Sequence, residues 1–104
     1  MIGVVIVNWN GWRDTIECLE SLMPARDEDV KVVVVDNRST DDSVERLVAW
    51  GAGTVFPDVT RVRAEANNGF AAGNNLGIGL LRRLGGCEFY WLLNNDTIVD
   101  RDAV

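Results

Sequence analysis

Trp91-Leu92-Leu93-Asn94-Asn95-Asp96-Thr97 begins as an apolar run and ends in a polar cluster around one carboxylate. Such a stretch reads as a buried strand whose carboxyl end opens into a site. In an open α/β sheet, ligands bind outside the carboxyl ends of the strands. Asp96 therefore stands where a ligand, or a metal held with a ligand, would lie. A plain strand followed by an Asn/Asp turn accounts for the same residues, so the rest of the chain must decide.

Working outward, Glu88 to Leu93 is the last of several strand-like runs. Ile2 to Val7 and Val30 to Val35 are rich in β-branched residues, the mark of strands buried on both faces. Val59 to Ala64 is shorter and more polar, which suits a sheet edge. Between them lie helical patterns. Asp14 to Met23 places Ile16, Leu19, Leu22 and Met23 on one face, and Pro24 is expected to stop it. Asp42 to Trp50 carries Val44, Leu47 and Val48 on one stripe, with Ser39 or Thr40 as its expected cap and Gly51 and Gly53 as its end. After the loop Asn67 to Asn75, a third helix turns Leu76, Leu80, Leu81 and Leu84 inward and closes at Gly85-Gly86. Strand alternates with helix throughout, which implies parallel strands joined by right-handed crossovers. Polar clusters follow the first, second and fourth strands, so they share one rim of the sheet.

Composition narrows the function. At 104 residues the chain is one domain, 47% hydrophobic and 25% charged. A net charge of -6 argues against a nucleic-acid binder, which needs a basic face. It leaves room for an anionic small ligand, because a divalent cation reverses the local field. There is no histidine, so a metal would be held by oxygen, as Mg or Mn is, and not in a zinc site. Cys18 and Cys87 form no CxxC and read as buried thiols of a reducing compartment. With no apolar stretch long enough to span a membrane, the expectation is a cytoplasmic protein. Any membrane association would come through other parts or partners.

The polar clusters carry the candidate chemistry. Trp9, in a turn after the first strand, is a flat aromatic suited to stacking on a base or sugar, or else to covering the sheet end. Asp36 directly follows Val32-Val33-Val34-Val35, where a carboxylate can accept hydrogen bonds from a base or ribose, or cap a turn. Asp96 is a lone carboxylate beside Asn94 and Asn95, which suits Mg with its waters and phosphate ligands. After the first strand there is no GxGxxG and no GxxxxGK[ST], so neither a dinucleotide loop nor a P-loop is present. A phospho-receiver would need acidic residues where Asn8 and Asn10 stand.

Four ordered segments together resemble the family-two glycosyltransferases of the GT-A fold, with wording nearest the bacterial rhamnosyltransferase-like group. They are Val4 to Gly11, Val33 to Asp41, Asn67 to Asn75, and Leu92 to Thr97. The resemblance implies an open, mostly parallel α/β sheet of Rossmann-like type, strand order 3-2-1-4, with helices on both faces. It implies metal-dependent, inverting transfer from a dTDP- or UDP-linked sugar, in bacterial cell-wall or polysaccharide synthesis. By motif, Trp9, flanked by Asn8 and Asn10, falls against the base. Asp36 falls at the base edge, and Asn68 lies in the loop that nears the nucleotide. Asn95 and Asp96 fall in the DXD-like element, with Asp96 on the Mg or Mn ion.

There are departures. Arg38 stands where the family often has Gly, and Asn94 and Asn95 replace acidic members of the DXD element. The family's general base and its acceptor site, for a glycan or a lipid-linked sugar, are expected beyond Val104. The chain is thus expected to be the donor-binding half of a glycosyltransferase domain, with little turnover alone. Its fourth strand is expected to have a free edge that invites a homodimer. Two rivals remain at this point: a non-catalytic nucleotide-binding module of the same fold, and a structural α/β domain whose polar rim is only turns.

Overall fold

The computed structural model of the chain describes residues 1–25, 30–53 and 59–100, with the side chains of residues 23–25 outside that description. The elements are β1 (Ile2–Asn8), α1 (Trp12–Ala25), β2 (Val30–Asp36), α2 (Ser43–Gly53), β3 (Thr60–Arg63), α3 (Phe70–Leu84) and β4 (Phe89–Leu93). The strands form one sheet in the order β3-β2-β1-β4. Every pairing in it is parallel. This is the expected topology, and it follows from burial. β1 and β2 are covered on both faces, so both bear continuous β-branched runs. β3, the short edge strand, alternates between exposed and half-buried positions.

Alternation along β1 and β2 divides the core. Val4, Ile6, Val32 and Val34 face α1 and α2, packing against Leu19, Leu22 and Leu47. Val5, Val7, Val33 and Val35 face α3, packing against Leu81. Helices therefore cover both faces.

The helices differ from expectation in their inward stripes. α3 buries Gly73, Asn74, Gly77 and Leu81, while Leu76 and Leu84 are 40% and 51% exposed. The cause is close approach: a Cβ on Gly77 would stand 2.5 Å from Val5 Cγ1, and one on Gly73 would stand 3.0 Å from Val7 Cγ1. Glycines at every fourth position let the helix backbone lie on β1. In α2 the buried residues are Ser43 and Leu47. Val48 is 49% exposed at a cavity of about 210 Å³ between α2 and β3.

Ser39 and Thr40 do not cap α2. Asp41 does, accepting from Ser43 N at 2.9 Å, while Ser39 and Thr40 are engaged at the sheet rim. α1 runs to Ala25, one residue past Pro24. The Met23 side chain lies outside the described residues. Cys18 is buried and Cys87 half-buried, both free thiols. Among the described residues no helix is long and apolar enough to cross a membrane.

Candidate functional site

Register builds the site. Asn8 pairs with Asp36, and Asp36 with Arg63, so three strands end at one level. β1 pairs with β4 from Ile2–Phe89 to Ile6–Leu93, which brings Asn94 to Asp96 to the same rim. β1, β2 and β4 run into residues that hydrogen-bond through side chains, because the ladder stops there and the next loop needs partners.

These side chains form one buried network. Asn8 is 0% exposed, and its Nδ2 donates to Asp36 Oδ1 at 3.0 Å and to Ser39 Oγ at 3.3 Å. Asp36, 5% exposed, also accepts from Ser39 Oγ at 2.6 Å and from Ser39 N at 3.0 Å. A buried carboxylate needs such partners. Thr15 of α1 donates its hydroxyl to Asn8 Oδ1 at 2.6 Å and accepts from Asn95 Nδ2 at 3.1 Å. Asn10, with φ of 50°, accepts at Oδ1 from Thr40 N at 2.7 Å and Asp41 N at 3.1 Å. It donates to Thr40 Oγ1 at 2.9 Å. The network spans the ends of β1, β2 and β4 and the amino end of α1.

The exposed groups stand on this base. Trp9 is 52% exposed between Asn8 and Asn10. Asn68 is exposed in the loop before α3. That loop is tied to the rim by Asn37, whose N donates to Asn8 O at 2.8 Å. Asn37 Nδ2 donates to Asn67 Oδ1 and Gly69 O, each at 3.0 Å. A cleft of about 400 Å³ opens there, lined by Asn37, Arg63, Ala64, Glu65, Asn68 and Ala72. A second of about 370 Å³ opens at the amino end of α1, lined by Asn10, Gly11, Trp12, Arg13, Asp14 and Asp41.

Asp96 is exposed in the turn closed by Thr97 N donating to Asn94 O at 3.1 Å. α1 holds this turn along one side. A Cβ on Gly11 would stand 2.9 Å from Asn95 Nδ2, Cys18 Sγ lies 3.8 Å from Asn94 O, and Ser21 Oγ accepts from Val99 N at 2.8 Å. Burial, helped by the Asp96 charge, pushes the Cys18 thiol up to about 11. No group of three or more His, Cys, Asp or Glu side chains that would cage a metal occurs among the described residues. Asp96, expected from the sequence to hold one, is solvent-facing. A single solvent-facing carboxylate fits Mg²⁺ or Mn²⁺ that takes its other ligands from water and phosphates.

The expected site residues thus fall into two groups. Asn8, Asn10, Asp36 and Asn95 are joined in the network, with Asn8 and Asp36 beneath the surface. Trp9, Asn68 and Asp96 are exposed around it. Thr15, Ser39, Asn37 and Asn67 were not singled out from the sequence as site residues. Thr15 had a legible signal, since it lies on the inward stripe of α1 with Cys18, Leu19 and Leu22, where a polar residue must find a partner. Arg38 has a φ of 68°, the left-handed region that glycine enters freely, so the departure from Gly keeps the turn conformation.

The sequence matches the family model of Glycosyl transferase family 2 over residues 3–104. It is 27% identical over 105 residues to Glycosyltransferase GlyG of Streptococcus pneumoniae serotype 4, an alignment that takes in 100% of this chain and 33% of that protein. The structure of S. aureus TarS 1–349 superposes with a TM-score of 0.74 at 21% identity, over 97% of this chain and 29% of that one. Mannosyltransferase PcManGT from Pyrobaculum calidifontis, in complex with GDP-Man and Mn²⁺, superposes with a TM-score of 0.78 at 22% identity, over 91% of this chain and 27% of that one. The chain therefore spans about a third of the curated relative's length. With a family match over nearly all its residues, the chain belongs to glycosyl transferase family 2.

Proposed function

We propose that this rim binds a nucleotide-sugar, dTDP- or UDP-linked, and that the chain supplies the donor side of a metal-dependent, inverting glycosyltransferase. One observation carries the reading: an exposed aromatic, Trp9, and an exposed carboxylate, Asp96, are mounted on a single network at the carboxyl edge of a parallel sheet. Proteins of the same fold lend support. TarS 1–349 has been seen in complex with UDP-GlcNAc, and PcManGT with GDP-Man and Mn²⁺. The rhamnosyltransferase-like wording of the four segments favours dTDP or UDP.

In this reading Trp9 stacks on the base. Asp36 keeps one lone pair of Oδ2 for the base edge or ribose, and Asn8 and Ser39 fix its orientation. Asn10 braces the loop beside it, and Asn68 closes the cleft from the α3 side. Asn95 sets the turn on which Asp96 holds Mg²⁺ or Mn²⁺. That ion, when bound, stabilises the charge on the departing diphosphate. Transfer also needs a base for the acceptor hydroxyl, typically worth about 10²–10⁴-fold. Asp36 is buried and accepts three hydrogen bonds, and Asp96 serves the metal. Neither is placed to be that base, and the share of the reaction proposed for residues 1–104 is donor binding.

The test is titration calorimetry with UDP, dTDP and GDP, in Mn²⁺ and in EDTA. Binding that Mn²⁺ strengthens and EDTA returns to a weaker, measurable level is expected for the wild type, and Asp96→Ala should fold normally yet lose that difference. Absence of nucleotide binding in both conditions would sink the reading.

A further inference from the structure

Among the described residues, Thr15 is the side chain that bonds to both halves of the network. Its hydroxyl donates to Asn8 Oδ1 at 2.6 Å, and Asn8 in turn donates to Asp36 at 3.0 Å. The same hydroxyl accepts from Asn95 Nδ2 at 3.1 Å, next in sequence to Asp96. Thr15 is 0% exposed, so no water replaces either bond without disturbing the core. We propose that Thr15 is a positioning residue that holds the Asn95–Asp96 turn at a set distance from Asp36, so that the two ends of the site engage one nucleoside diphosphate. The proposal rests on the nucleotide-sugar reading above and goes beyond it by naming the part that spaces the two subsites.

The direction of the bonds supports it. Asn95 donates to Thr15, Thr15 to Asn8, and Asn8 to Asp36, so each donor points toward the same carboxylate. A chain polarised toward a fixed charge is stronger than its separate links. A hydroxyl suits the middle position, since one oxygen donates on one side and accepts on the other. Gly11, the residue just before α1 and one turn ahead of Thr15, leaves the room that the Asn95 amide occupies. Cys18 and Ser21 continue that side and meet Asn94 and Val99. The helix is thus the support against which the Asp96 turn is set, and Thr15 is where that support reaches the rest of the site.

The experiment measures Mn²⁺ affinity at saturating UDP, and UDP affinity in EDTA, for the wild type, Thr15→Ser, Thr15→Val and Asn95→Ala. Loss of a residue that orients a metal-binding group typically weakens the metal on the order of 10–100-fold. Thr15→Val should lose Mn²⁺ affinity by that factor and lose less UDP affinity in EDTA, Thr15→Ser should match the wild type, and Asn95→Ala should show the same Mn²⁺ loss. A purely structural role would lower melting temperature without moving Mn²⁺ affinity in the folded protein. Wild-type Mn²⁺ affinity in folded Thr15→Val overturns the proposal. If that variant does not fold, wild-type affinity in Asn95→Ala, which breaks the same link from its half-exposed end, overturns it instead. If the wild type binds UDP but shows no UDP-dependent Mn²⁺ binding, the spacing role fails while nucleotide binding stands. If it binds no UDP, both readings fall.

Discussion

Asn8 and Asp36 face each other as the last paired residues of β1 and β2, and the Asn8 amide donates to Asp36 Oδ1 at 3.0 Å with both side chains buried. A carboxylate at this depth is tolerable because Asn8 and Ser39 together supply three hydrogen bonds. The polar rim is therefore tied into the top of the core.

Asn8→Ala should accordingly be destabilising out of proportion to its volume. It removes a donor to Asp36 and leaves the Thr15 hydroxyl without its acceptor. Loss of buried hydrogen bonds of this kind costs about 1–3 kcal/mol. Urea denaturation of the variant should show a lower midpoint by that measure. An unchanged midpoint would mean that the network adds nothing to folding.

Two glycines in α3 should answer oppositely to the same substitution. Alanine at Gly79 meets nothing within 4 Å. Gly79→Ala should gain about 0.5–1 kcal/mol from helix propensity. Alanine at Gly77 would place its Cβ 2.5 Å from Val5 Cγ1, a side chain held in the core. Overpacking typically costs about 1–3 kcal/mol and outweighs the propensity gain. Thermal melts of both variants check the pair. Equal shifts would show that α3 does not lie on β1 as closely as described.

Cys18 should impose an alkaline limit on stability. Its folded thiol is raised to about 11 from 9.0, first by burial and then by Asp96. A raised acid keeps its proton longer in the folded state, so stability is full below 9.0 and falls as pH rises toward 11. The total loss is on the order of 2 kcal/mol. Denaturation at a series of alkaline pH values should show that slope in the wild type and a flatter one in Cys18→Ala. Parallel profiles would place the titration elsewhere.

Much of the fold was legible because β1 and β2 are buried on both faces, and only apolar β-branched runs serve there. The rim was legible for a related reason: polar clusters can follow such strands only where the sheet ends. The stripes of α2 and α3 were harder to read. Leu76 and Leu84 follow a helical period, yet Gly73 and Gly77 face the sheet, because a helix pressed against a strand prefers no side chain to a large one. Within the rim, type and position were readable but depth was not. Asn8 and Trp9 are neighbours in sequence, but Asn8 is the last residue of the doubly covered β1 and Trp9 lies just past its end, so one is buried and the other half exposed. The tie from Thr15 to Asn95 joins residues 80 apart and is fixed only by how α1 docks on β1 and β4.

In the proposed function a metal and a nucleotide meet at Asp96 with Trp9 beside the base. Paramagnetic broadening by Mn²⁺ tests it most directly. With UDP or dTDP present, substoichiometric Mn²⁺ should broaden the backbone amide signals of Asn95, Asp96 and Thr97 most strongly. Nucleotide alone should shift the Trp9 indole signal. Asp96→Ala should abolish the broadening and keep the Trp9 shift. Broadening centred on another acidic segment, or none with nucleotide bound, would contradict the account.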